Sequence, residues 1–208
     1  MRRITRSAWI LAAAMALAAS LGAQDKDKAK KPAAKHNPPD EKAMMEAWQK
    51  ASTPGEMHKK LDAMVGSFDA DVRMWMDPSK PPEDSKGSSV NTWVLGNRYV
   101  EQKYEGTMMG QPFNGLGYTG YDNVQKKYVS VWMDTGATGI MTMNPTFDAS
   151  GKKMTSKSTV YDPMTGKPST MESKVTFADN DHHAFEMWGK TPAGKSFKMM
   201  EITYTRKK

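Results

Sequence analysis

The sequence predicts a mainly β protein: a closed or nearly closed antiparallel up-and-down barrel of about ten strands, preceded by one or two helices. Three observations carry this. From Ser67 onward, apolar residues recur at every second position instead of every third or fourth. Clusters of Gly, Pro, Asn and Asp such as DPSKPPEDSKG, GN, DNVQK, DASGK and TPAG punctuate the chain at short intervals. No connection is long enough for a crossover helix, so parallel pairing is disfavoured and a meander follows.

The chain begins with the three parts of a secretory signal, expected to span residues 1–23. Arg2, Arg3 and Arg6 form a basic start, an apolar run extends from Ala8 to Leu21, and small residues follow. The run is shorter than the roughly 20 residues a membrane-crossing helix needs, and charges follow at once, so no stable membrane anchor is expected. Residues 24–40, DKDKAKKPAAKHNPPD and its flank, are rich in Lys, Ala and Pro and read as a disordered tether. These features predict an exported protein, bacterial periplasmic or secreted. They also account for most of the basic charge. The formal net charge is +7, of which three come from the leader arginines and two from the lysine excess over residues 24–42. The rest of the chain is close to balanced, which argues against nucleic acid as a partner. The chain has no cysteine, which excludes a disulfide framework and thiol chemistry.

Residues 41–66 carry the helical signals. EKAMMEAWQKAS sets Met44, Met45 and Trp48 on one face of an amphipathic helix. A second helix is expected from Thr53-Pro54-Gly55-Glu56, with Thr53 as cap, Pro54 in the first turn and Glu56 completing a capping box. Leu61, Met64 and Val65 form its buried stripe, and Gly66 ends it. Both helices are expected to cover the sheet or close one end of it.

The β domain is expected over residues 67–208, with strands at 67–76, 88–95, 98–107, 113–121, 127–134, 138–147, 153–161, 168–178, 183–190 and 196–206. The first shows the alternation best, with Phe68, Ala70, Val72, Met74 and Met76 on one face and Asp69, Asp71 and Arg73 on the other. A ten-stranded meander has two exposed edges unless it closes on itself. Ten strands enclose more room than side chains fill, so an interior cavity is expected.

Two places carry a resemblance. LDAMVGSFDADV is similar to the entry of lipocalin-type and other calycin-like barrels, where Gly-x-Trp opens the first strand; here Phe68 follows Gly66 in place of tryptophan. The resemblance implies that Arg206, in ITYTRKK on the last strand, packs across the Phe68 ring. The longer stretch VLGNRYVEQKYEGTMMGQPFNGLGYTGYDNVQKKYVSVWMDT, with YDPMTGKP, DHHAFEMW and FKMMEITYTR, resembles the bacterial DUF1579 family over residues 57–208. That family has no assigned function and so implies no catalytic residues.

Three kinds of chemistry compete. The first is binding of a small apolar or amphipathic ligand inside the barrel, with Met74, Met76, Tyr99, Glu101, Tyr118, Trp132, Met141, Met143, Glu186 and Trp188 as candidate lining residues. The second is acid–base catalysis by barrel carboxylates and tyrosines: Tyr99, Glu101 and Glu105 share a strand face, and Glu186 or Glu201 is a candidate for the facing wall. Against this, Lys103 in the same set marks a solvated face. The third is Cu(I) capture by thioethers. Met74/Met76, Met108/Met109, Met141/Met143 and Met199/Met200 are closely spaced, and soft donors select Cu(I). The competing reading is that methionine serves as an adaptable core filler; the chain has 19 methionines. His36, His58, His182 and His183 lack zinc spacing. Resemblance to haem-binding calycin-like barrels would let His182 or His183 ligate a haem, against the plainer reading of a solvated turn histidine. The glycines of GLGYTGYD mark tight curvature or close backbone approach. No nucleophile motif is present, and the sequence requires no cofactor. The leading expectation is non-catalytic ligand binding.

Overall fold

In a computed structural model of the chain, the structure describes residues 40–191 and 193–208. The expected leader and all but the last residue of the expected tether lie outside them. Helix α1 spans Glu41–Ser52, with the Asp40 carboxylate accepting from the Lys42 amide at its start. Thr53 ends it, since its amide and its hydroxyl both donate to the Gln49 carbonyl. The Asn123 side-chain amide reaches the last carbonyls of the helix and that of Thr53, at 2.8 Å, fastening the helix end to the sheet. Contrary to expectation, Met44, Met45 and Trp48 are exposed, so this helix does not cover the sheet with its apolar face.

The second helix is much shorter than the sequence pattern suggests. It is a four-residue turn, α2, at Glu56–Lys59, followed by a 3-10 turn at Asp62–Met64. Thr53 already caps the end of α1, and Gly55 starts α2 by donating its N–H to His58 Nδ1 at 3.1 Å. This kinked segment drops Leu61, which is fully buried, into one end of the sheet against Val100 and Tyr128. Met57, Met64, Val65, Trp93, Tyr121 and Phe147 complete the plug.

Eleven antiparallel strands follow: β1 Gly66–Met74, β2 Glu83–Val94, β3 Tyr99–Met108, β4 Gln111–Asp122, β5 Lys127–Asp134, β6 Met141–Met143, β7 Thr146–Phe147, β8 Lys153–Tyr161, β9 Pro168–Phe177, β10 His182–Lys190 and β11 Ser196–Arg206. They form one sheet in the order β6-β5-β4-β3-β2-β1-β11-β10-β9-β8-β7. The segment expected to be a single strand over 138–147 is thus divided. β6 pairs with β5, and β7 pairs with β8 at the far edge. Between them lie Asn144 and the buried Pro145, which has no N–H to give a ladder.

The expected closed barrel is therefore not formed. The sheet is an open, strongly curled half-barrel, and its two edge strands do not pair with each other. The curl is severe because two linking residues, spanning at most about 10 Å, must join the first edge to the last.

Phe68, Ala70 and Val72 of β1 face inward and are buried, while Asp69, Asp71 and Arg73 face out. They meet Tyr104, Ile202 and Tyr204 in the main apolar cluster. The entry geometry matches the resemblance. Arg206 lies over the Phe68 ring at 4.7 Å and donates to the Val65 carbonyl at 2.8 Å and to the Asn180 carbonyl through Nε and Nη2. Gly66 has φ +140°, and a Cβ there would lie 1.9 Å from Arg206 Nη1, so no other residue fits without moving the guanidinium.

A methionine-lined hollow as the candidate functional site

Strand pairing determines which side chains enter the concave face. Phe68 of β1 is opposite Ser89 and Arg206, Ser89 is opposite Tyr104, and Tyr104 is opposite Gly115. The inward set therefore carries Asn91 on β2, Gln102 and Tyr104 on β3, and Thr119 on β4. It continues with Ser130 and Trp132 on β5, then Met141 and Met143 on β6. Beyond β1, the wall is built from Met200, Ile202 and Tyr204 on β11, and His183, Phe185 and Met187 on β10. β8 and β9 complete it with Met154, Ser156, Ser158, Met171, Ser173 and Val175.

These residues enclose a cavity of about 400 Å³, lined by nine methionines. Two aromatic rings lie flat on its wall because glycine makes room for them. Tyr104 crosses Gly87 and Gly106, where a Cβ would come within 2.3 and 2.8 Å of it. Trp132 crosses Gly115 and Gly117, where the distances would be 2.1 and 2.9 Å. The glycines expected to mark close backbone approach do so. Each ring occupies wall instead of lumen, which preserves the hollow.

The plug end of the cavity is polar and aromatic. Ser89 donates to Asn91 Oδ1 at 2.6 Å, Asn91 Nδ2 donates to the Met64 carbonyl at 2.7 Å, and Gln102 Nε2 donates to Ser89 Oγ at 3.2 Å. His183 is buried between rings: it stacks on Tyr204 at 4.5 Å and meets the Phe68 ring edge-on at 4.7 Å. Phe177, Phe147, Tyr128 and Tyr121 continue the ring contacts as far as His58 in α2. Burial, with the Arg206 charge as a lesser cause, lowers the His183 pKa to about 4, so the ring is neutral at pH 7. Burial likewise pushes the Tyr128 hydroxyl up to about 12. Toward the loops, Asp134 accepts from Trp132 Nε1 at 2.7 Å and from the Gly136 amide at 2.9 Å.

Of the ten candidate lining residues, Met74, Trp132, Met141 and Met143 face the hollow. The other six do not. β1 stops at Met74, leaving Met76 exposed. Tyr99, Glu101 and Tyr118 are on the convex face, where the Tyr118 hydroxyl donates to Glu101 at 2.7 Å and Lys103 pairs with the same carboxylate at 2.9 Å. Together these two hold the Glu101 carboxyl below its ordinary range. Glu186 and Trp188 are also outside. A register shift between Met187 and Trp188 marks a bulge, and Lys198 sits 5.7 Å over the Trp188 ring. Burial opposes ionisation of Glu186, but Lys174 and Lys198 outweigh it and lower its pKa. The carboxylate pair needed for acid–base catalysis in the interior is therefore absent from it; Glu105 and Glu201 share the outward register of Glu101 and Glu186.

Sequence reasoning named His183 only as a haem ligand or turn residue, and left it, Tyr104 and six methionines, Met64, Met108, Met154, Met171, Met187 and Met200, out of the lining. The signal was period two: His183, Phe185 and Met187 alternate along β10, as Val100, Gln102 and Tyr104 do along β3. His183 is not the solvated turn residue expected; the adjacent His182 is, bound to Asp179. Among the described residues no cluster of three or more His, Asp or Glu could hold a metal ion, and no helix is long and apolar enough to cross a membrane.

The crystal structure of Rv2717c from M. tuberculosis is similar in fold, with a TM-score of 0.56 at 13% identity, covering 75% of this chain and 100% of that one. A redesigned β barrel aligns with a TM-score of 0.39 at 15% identity, over 74% of this chain and 100% of the design. Comparison with curated proteins gave no match. The model of a family described as a protein of unknown function, DUF1579, matches residues 53–206. The chain belongs to the DUF1579 family.

Proposed function

We propose that this protein is an exported, non-catalytic binder of a small apolar or amphipathic ligand, held in the hollow of the half-barrel. One observation carries the reading: a cavity of about 400 Å³, within the size range of ligand sites, walled by apolar side chains with a few converging polar groups. The nine methionines suit a site that adapts its shape to what it holds, because thioether chains are unbranched and polarisable. Export rests on the basic, apolar and small-residue segments of residues 1–23. Neither a nucleic acid nor a stable membrane anchor is part of the proposal.

Native mass spectrometry of protein purified from its own host is the test, with thermal shift across lipids, haem and metabolites. A bound mass released on denaturation is expected. Protein that is always empty and unshifted by every compound would end the proposal. Periplasmic fractionation of a tagged full-length chain tests export.

A second reading, Cu(I) capture, draws on Met74, Met141 and Met143, whose thioethers share the hollow. It requires that replacing these three with leucine abolish Cu(I) affinity; unchanged affinity removes it.

A further inference from the structure

The cavity wall is uneven in a way that selects among ligands. Among the described residues its lining includes no lysine or arginine, and the one carboxylate there, Asp134, already accepts two hydrogen bonds. Most of its polar groups have partners within the protein. Thr119 and Ser130 pair at 2.9 Å, Ser156 and Ser173 at 2.7 Å, and Asn91 and Gln102 belong to the chain through Ser89. His183, Tyr104, Tyr204 and Ser158 are the exceptions, buried residues that line the hollow without a side-chain hydrogen bond among the described residues, their polar atoms open to the hollow. His183 is only 7% exposed, and its ring is fixed by Phe68, Phe177 and Tyr204. A neutral imidazole offers one N–H donor and one acceptor nitrogen. Among the described residues the one enclosed side-chain atom without a hydrogen-bond partner is Glu186 Oε2 on the other face, so these groups are accessible from the hollow, and a ligand that hydrogen-bonds to them binds there with an advantage over one that leaves them facing an apolar surface.

Building on the proposed role of the hollow, we infer that it takes an uncharged amphiphile, polar end inward on His183 and Tyr104, with the apolar body among the methionines and Trp132. A carboxylate is disfavoured at that end because no cation on the wall would compensate its desolvation. Fatty-acid anions are therefore the poorer ligands, and alcohols, amides and similar neutral heads the better ones.

Calorimetric titration with 1-octanol, octanoate and 1-chlorooctane at pH 7.5 tests this on the full chain. The expected result is binding of 1-octanol at least ten-fold tighter than octanoate. Each methylene added to the alcohol should tighten binding about four-fold until the cavity fills. His183→Phe keeps an aromatic ring in the same packing, and Tyr104→Phe removes a single oxygen. Either is expected to weaken 1-octanol by about three- to ten-fold while leaving 1-chlorooctane unchanged. A loss in either variant supports the inference. Unchanged octanol affinity in both, or octanoate binding as tightly as octanol, overturns it while the hollow stands as a ligand site. Failure of all three compounds to bind overturns the hollow itself.

Discussion

Replacing Arg206 with alanine should destabilise the domain by about 3 kcal/mol. Its guanidinium makes one hydrogen bond to the Val65 carbonyl and two to the Asn180 carbonyl, at 2.7–2.9 Å, and lies over Phe68 at 4.7 Å. Hydrogen bonds to a charged group contribute roughly 1.5–3 kcal/mol each, and a cation–π contact about 0.5–2 kcal/mol. The contacts share one group and do not add, so the whole falls well below their sum. The Asp181 contact, to a carboxylate that is 62% exposed, adds little. At a slope of about 2 kcal/mol per molar urea, the midpoint should fall by about 1.5 M. Arg206→Lys keeps the charge but not the fork and should recover less than half of this. A fall under about 0.5 M, or full recovery by lysine, would refute the idea that this fork joins the first strand to the last.

Gly66→Ala should cost about as much as Arg206→Ala, because the new methyl takes the place of Nη1, and the double variant should be far less than additive by urea unfolding. Gly115→Ala pushes Trp132 off the wall, costs roughly 1–3 kcal/mol, and shifts tryptophan emission through loss of the bond to Asp134. Acid should weaken the fold before the carboxylates titrate. His183 packs against Phe68, Phe177, Tyr204 and the Arg206 charge, and its folded pKa of about 4 lies below its ordinary value. The unfolded chain therefore binds the extra proton, and stability present above pH 6.5 is lost as pH falls toward 4, by about 3 kcal/mol. His58, buried in α2 with its pKa also lowered, acts in the same direction. Urea midpoints from pH 7.5 to 4.5 should drop in the native chain and drop less in His183→Phe.

The sequence was most readable where local chemistry determines the outcome. The alternation of β1, the Gly66–Phe68–Arg206 contact and the turn clusters all correspond to structure. Two features were hidden. The first is the break at Asn144-Pro145, which divides one expected strand between opposite edges; a ten-residue pattern cannot say which neighbour each half pairs with. The second is strand parity. Because side chains alternate, choosing Glu186 and Trp188 over Phe185 and Met187 exchanges the two faces of β10. Both sets contain apolar residues, and the Met187/Trp188 bulge blurs the period further. In β3 the clue was stronger: Glu101, Lys103 and Glu105 form one charged set, which belongs outside. The helices misled for a different reason, since an amphipathic stripe reports an apolar face without identifying what covers it.

Ligand binding in the methionine-lined hollow underlies the proposed function. Methionine-methyl NMR of the full chain, titrated with 1-octanol, tests it most directly. Saturable shifts are expected at hollow-facing methionines such as Met74, Met141, Met143 and Met187, with Met44, Met45, Met76 and Met164 on the exterior unmoved. No saturable shift, or shifts confined to the exterior methionines, would contradict it.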